Sequence, residues 1–256
     1  MPRSAYLRPA MSYSSRATSR KGIVNLGAEH ENLDQKVYQI LKSMIIERQL
    51  LPGDKIPQEK LAEDMGISRT PLVNALKFLE HEKLVQSIPR RGFFVRLFDK
   101  AEMISIFELR ELLEGLAVRR ACQNITEREI DQLKGFFRQF TGLKEITDIK
   151  AYAREDRRFH NLLTEIGAKE FLKSILETYN IISFSYQSAL SEGLVRSPDE
   201  TIHEHLAIIA AISKRDADSA ERMMRQHLSN SAAVLRRSLE SERARTNHIT
   251  IEGGNP

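Results

Sequence analysis

The apolar positions of the first hundred residues change period twice, and each change marks a new element. From Asp34 to Gln49, Val37, Ile40, Leu41, Met44 and Ile45 recur at three- and four-residue intervals, which predicts a helix that Pro52-Gly53 follows with a turn. Between Gln58 and Glu80 the pattern predicts two short helices with a tight turn between them. Leu61, Ala62 and Met65 share one face of the first, Gly66 supplies the residue that leaves it in a left-handed conformation, and Leu72, Ala75, Leu76 and Leu79 form the inward stripe of the second. Ser68 is placed to cap that second helix, with Pro71 in its first turn, where a missing N–H costs nothing. Leu84-Val85 and Phe93-Phe94-Val95 are short β-prone runs around Pro89, Arg90, Arg91 and Gly92, a small basic hairpin.

From about Lys100 the period becomes 3.6 and stays so to about residue 243. A first long helix ends near Asn124. A second opens on the capping box Thr126 to Glu129 and runs toward Thr147. Asp148 caps a third that is broken at Gly167, a fourth spans roughly Lys169 to Leu190, a fifth starts at Ser197-Pro198 and reaches about Lys214, and the last starts at Asp216. The expected fold is therefore mainly α. An N-terminal winged helix-turn-helix domain covers 29–98 and an all-helical bundle of about six helices covers 99–243. A flexible basic arm is expected over 1–28 and a flexible tail over 244–256.

Charge sharpens this division. Residues 1–100 carry 17 Lys and Arg against 11 Asp and Glu, while the remaining 156 carry 22 against 24. A basic front end on a near-neutral body suits a nucleic-acid module joined to a different module, because neutralising phosphates releases counterions. A single cysteine, Cys122, excludes an intramolecular disulfide and a cysteine zinc cluster. With no apolar run of bilayer length and no secretory core at the N-terminus, the expectation is a cytoplasmic protein without a membrane partner.

Chemistry concentrates in the helical part. Asp156 and His160 are one helical turn apart on the face that carries Phe159 and Leu163. His205 lies in a stripe with Ile202, Leu206 and Ile209, and His227 lies beside Met224 and Leu228. His203 points elsewhere on its helix and belongs to the surface. Three histidines and an aspartate thus project inward from three helices. A buried carboxylate without a partner is costly, and a divalent cation compensates it while using neutral imidazoles as further ligands. The donor set suits Zn²⁺, Ni²⁺, Mn²⁺ or Fe²⁺, and a carboxylate with imidazoles does not choose among them; Zn²⁺ or Ni²⁺ is the first expectation.

Several segments also carry a family resemblance. Pro52-Gly53-Asp54, LAEDMGISRTP and the RRGFFV wing closely resemble the GntR family of bacterial transcriptional regulators. The segments FELRELLEGLAVRRA, DRRFH, EHLAIIAAI and MRQHL resemble the FCD effector domain of its FadR-like branch. The resemblance implies a homodimer on a short palindromic operator of double-stranded DNA, a small organic acid as effector, and no enzymatic activity. It maps Arg69, Thr70 and Gly92 onto DNA contacts and Arg110 onto an effector-facing arginine, and it gives Asp156, His160, His205 and His227 as metal ligands. Ser68 at the recognition-helix start, and Arg90 and Arg91 at the wing, complete the expected DNA set.

One departure stands out. Where the family usually continues Arg-Glu-Ala-Leu, this chain has Val73-Asn74-Ala75-Leu76. Asn74 then either pairs with a base edge such as adenine or merely solvates its helix face. The reading that follows is a metabolite-responsive regulator, expected to repress. Its rivals are a metal-dependent enzyme with a winged-helix accessory module, and a regulator whose metal is purely structural.

Overall fold

The computed structural model describes residues 28–190 and 194–252. The N-terminal unit is built from α1 (Ala28–Ile46), α2 (Gln58–Asp64), α3 (Arg69–His81) and the hairpin β1 (Val85–Ile88) and β2 (Gly92–Val95). Leu72, Ala75, Leu76 and Leu79 of α3 are all buried, against Val37, Leu41 and Ile45 of α1 and Leu61 and Ala62 of α2. Gly66 ends α2 with φ +66°, the left-handed conformation expected of it. The strands are antiparallel, with Val85 opposite Val95 and Ile88 opposite Gly92. Residues 53–56 lie along the other edge of β2, where Gly53 N–H donates to Val95 O, Val95 N–H to Asp54 O and Ile56 N–H to Phe93 O. The hairpin is thereby stitched to the turn before α2.

The helical unit holds six α-helices among the described residues: α4 (Lys100–Asn124), α5 (Glu127–Gly135), α6 (Ile149–Gly167), α7 (Glu170–Ala189), α8 (Pro198–Ser213) and α9 (Ala217–Glu252). Five of these starts, all but that of α7, follow local capping chemistry. Asp99–Glu102 and Thr126–Glu129 are reciprocal capping boxes, while Asp148, Ser197 and Asp216 accept from backbone N–H groups three residues on. α4 packs against α6, α7, α8 and α9, so its buried residues include Met103, Phe107, Ala117, Val118 and Ala121 together with the charged Arg110 and Glu114.

Two expectations change. The second helix of the bundle, expected toward Thr147, stops at Gly135. The chain turns through Phe137 at φ +61° into a short 3-10 turn over Arg138–Phe140, and this sends Phe136, Phe137 and Phe140 into the core. The flexible tail expected from 244 is instead helical as far as Glu252. The basic arm over 1–28 lies outside the described residues, except for Ala28, the first residue of α1.

α6 crosses α4 without room for a side chain at one point. A Cβ on Gly167 would sit 1.8 Å from the backbone oxygen of Ala117, and neither helix backbone can yield cheaply there. Gly167→Ala should therefore cost at least about 1–3 kcal/mol in equilibrium unfolding. Gly135→Ala, where nothing lies within 4 Å of the added carbon, should cost nothing measurable. Equal midpoints for the two variants would contradict the close crossing.

Candidate metal centre and DNA-facing surface

Three helices carry the inward cluster. Asp156 and His160 sit on α6, His205 on α8 and His227 on α9, and one ligating atom from each lies within 4.8 Å of all the others. The three imidazoles are buried, and Asp156 keeps 19% of its side chain exposed. Phe159 and Leu163, buried on the same α6 face, explain why the aspartate and its histidine point inward.

Each ring is held from outside by its Nδ1. His160 Nδ1–H donates to Glu114 Oε2 at 2.5 Å, and His227 Nδ1–H donates to Glu204 Oε2 at 2.7 Å. His205 Nδ1–H donates to the Tyr152 hydroxyl at 3.0 Å. That hydroxyl passes its own proton to Thr201 Oγ1 at 2.8 Å, and Thr201 donates to Ser197 O at 3.2 Å. With the proton fixed on Nδ1, each Nε2 presents a lone pair to the interior of the cluster. Burial and the neighbouring His205 hold His227 down at about 4, and burial lowers His205 despite Asp156, so both rings are neutral at pH 7.

The outer carboxylates are themselves secured. Burial alone would raise Glu114, but Arg110, donating through Nε at 2.6 Å, and His160 outweigh it and hold the carboxyl at about 2. Glu204 takes a two-pronged contact from Arg196 at 2.7 and 2.8 Å and a bond from Asn230 at 2.8 Å, which with His227 hold it below the usual carboxylate range against its burial. Phe137, in its left-handed conformation, stacks flat on the His205 ring at 4.6 Å between centroids.

The donor set fits a divalent cation. Among the described residues His205 Nε2 is buried without a hydrogen bond, and Asp156 Oδ1 stands 3.1 Å away as a second acceptor. Two lone-pair donors facing each other in a buried space repel unless positive charge lies between them. Beside the cluster is a cavity of about 30 Å³, lined by Arg110, Tyr152, His160, Gln187, Arg196 and His227 among others, with room for about two waters. Arg110 does face this cavity, but its ion pair with Glu114 also makes it part of the support of His160.

At the N-terminal unit, Ser68, Arg69 and Thr70 are exposed at the start of α3. Ser68 occupies the N-cap position, yet its hydroxyl makes no capping bond, contrary to expectation. Arg69 reaches Glu59 of α2 at 3.3 Å with both side chains largely in solvent, a pairing worth about 1 kcal/mol or less that a phosphate readily replaces. Arg90 and Arg91 are exposed at the hairpin tip, where Gly92 has φ +96° and Gln58 would crowd a Cβ at 3.1 Å. Asn74 does not join this set. It is half-buried, and its Nδ2 donates to Asp34 Oδ2 of α1 at 2.9 Å.

Sequence reasoning missed Glu114, Glu204, Tyr152 and Phe137 as parts of the centre. Glu114 carried a signal, an acid four residues after Arg110 on a helix otherwise apolar on that side. His203, expected on the surface, is exposed.

The pH dependence has a definite sign. Between pH 6.5 and 4 the folded protein keeps His227 neutral while the unfolded chain protonates it. The metal-free protein therefore loses stability as pH falls through that window, and Glu114 adds a further loss between its usual 4.5 and about 2. Chelator-treated protein should melt progressively lower from pH 6.5 to 4, with a smaller slope in His227→Gln. A melting temperature that holds level across this range would contradict the neutral, buried ring.

Residues 33–95 match the model of the bacterial regulatory proteins of the gntR family, and residues 105–230 match the FCD domain. The HTH-type transcriptional repressor RspR of Escherichia coli (strain K12) is 28% identical over 211 residues, which cover 80% of this chain and 89% of that protein. An HTH-type transcriptional regulator of Mycobacterium tuberculosis (strain H37Rv) is 30% identical over 191 residues, 73% of this chain and 74% of its own. The solved structure of E. coli McbR/YncC shares the fold with a TM-score of 0.63 at 20% identity, covering 81% of this chain and 98% of that one. With the winged helix and the six-helix domain joined in this order, the chain belongs to the GntR family of DNA-binding transcriptional regulators, with an FCD domain, and is not an enzyme.

Proposed function

We propose that the chain is a metabolite-responsive repressor, acting in the cytoplasm as a homodimer. In this reading the helical domain holds a divalent transition metal through Asp156, His160, His205 and His227 and takes up a small carboxylate beside it. Zn²⁺ or Ni²⁺ are the first expected ions, with Mn²⁺ and Fe²⁺ as the others. The observation that carries the reading is the convergence of three Nε2 lone pairs and one carboxylate, each ring anchored outward through Nδ1. A bound cation would supply a Lewis-acidic point for an effector carboxylate. Arg110 and Arg196 face the adjoining cavity and would set the effector's orientation and charge preference. Repression is suggested by the name of RspR.

On the operator, Ser68, Arg69 and Thr70 would enter the groove at the start of α3 while Arg90, Arg91 and Gly92 follow the backbone or the minor groove. Asn74 contributes by holding α3 to α1 through Asp34. The homodimer finds support in an apolar stripe. Leu109, Leu112 and Leu116 of α4 and Phe171 and Ile175 of α7 are all exposed, Phe171 at 83%. They flank the small cluster Ala117, Ala168 and Leu176 that joins the two helices.

Metal-loaded protein should shift DNA from upstream of its own gene at moderate salt, and its melting temperature should rise with a small carboxylate. Arg69→Ala should weaken the shift by about 1–3 kcal/mol without touching metal content, while His205→Ala should lose both the metal and the response to carboxylate. Absence of any DNA shift by folded, metal-loaded wild type would overturn the proposal. Leu112→Glu with Leu116→Glu should sediment as monomer where the wild type sediments as dimer, and a dimeric double variant would exclude this face.

A further inference from the structure

The end of α1 and the outer face of α6 enclose a cleft between the two domains, of about 900 Å³. That lies in the range of cavities that bury organic ligands, and it is far larger than the space beside the metal cluster. Its charge is one-sided. Lys150, Arg154 and Arg157 fall on one face of α6, and Arg48 stands on the α1 side, with Glu47 as the acid on the wall. Lys150 and Arg154 form no ion pair among the described residues, although like charges one turn apart on a helix repel. Arg196 also reaches the cleft, but Glu204 and Glu200 already engage it.

Arg157 is the informative member. Its guanidinium lies over the Phe184 ring at 4.5 Å, and its Nε is buried with no hydrogen-bond partner among the described residues. An anion in the cleft would pair with the Arg157 guanidinium, which lines it. Apart from Ser197 the rest of the wall is apolar, with Ile46, Ile149, Phe184 and Leu190 among its residues. A concave wall of this kind suits a molecule with a hydrophobic body and does not suit a hydrated nucleic-acid backbone.

We infer that this interdomain cleft, which adjoins the cavity beside the metal cluster at Leu194 and Arg196, is a second ligand site for an organic anion: an aromatic or extended apolar body with a carboxylate, sulfonate or phosphate group directed at Lys150, Arg154 and Arg157. The site does not depend on the proposed repression or on the metal. Its occupant touches the last turn of α1 and α6 together, so its binding reports the relative placement of the two domains.

The test uses 1-anilinonaphthalene-8-sulfonate, an apolar aromatic body with one anionic group, titrated into full-length, metal-loaded protein and followed by fluorescence. One saturable site per chain is expected, weakened at least tenfold in Lys150→Glu with Arg154→Glu. Both residues are exposed on α6, so circular dichroism and metal content should match the wild type. Lys134→Glu, on the exposed side of α5, should leave the affinity unchanged, and removing the metal with a chelator should leave the site intact. Unaltered binding in the double variant, an equal loss in Lys134→Glu, or disappearance of the site on chelation would overturn the assignment. None of these readouts involves DNA, so failure here is distinct from failure of the proposed repression.

Discussion

The helical domain depends on how it accommodates charge inside an apolar core. Glu114 is 2% exposed, and an isolated carboxylate at such a place would cost several kcal/mol. It is tolerated because Arg110 holds one oxygen and His160 the other. The same pairing fixes the His160 tautomer and so decides which nitrogen faces the cluster. Glu204 repeats the arrangement for His227 with Arg196 and Asn230 as its supports. The donor cluster is thus the inner end of two charge-compensated chains, and both would collapse if the helices moved apart. The contact of α4 with α6 at Gly167, too close for any Cβ, belongs to the same helix pair that brings Glu114 to His160.

Local rules are broken where the centre requires it. Phe137 occupies a left-handed conformation that a bulky residue avoids, at a cost of order 1–3 kcal/mol. Its ring lies flat on His205 and meets Phe159 at 5.6 Å, and its backbone N–H reaches Glu155 at 3.3 Å. Continuing α5 toward Thr147 would satisfy the helical period but would leave His205 without this wall. Tertiary packing overrides local pattern here, and a residue-by-residue scan sees only the pattern.

That contrast explains what was legible beforehand. The helix-turn-helix and wing were readable because Gly66, Pro71 and Gly92 act within a few residues of themselves. The four inward donors were readable because helical spacing alone puts Asp156 and His160 on the face of Phe159. Glu114 was not, since its role rests on a contact with a residue 46 positions away. Asn74 was ambiguous for the same reason. Its polar tip is compatible with a base edge until Asp34, 40 positions earlier, is found beside it.

The domain junction bears on how the two proposed ligand sites would communicate. Only Arg96, Leu97, Phe98 and Asp99 separate β2 from α4. Phe98 is buried, and Arg96 bonds to Glu102 in the first turn of α4, so this linker is a stiff connection. α4 carries Arg110 and Glu114 to the donor cluster, and α6 carries Asp156 toward the cluster and, one residue later, Arg157 into the interdomain cleft. A ligand in either space acts on the same α6 helix from neighbouring faces, with Leu194 and Arg196 common to both walls. Its influence on DNA affinity can be no larger than its preference for one domain arrangement over another. If both ligands favour the same arrangement, each must tighten the other by the same factor, whichever binds first.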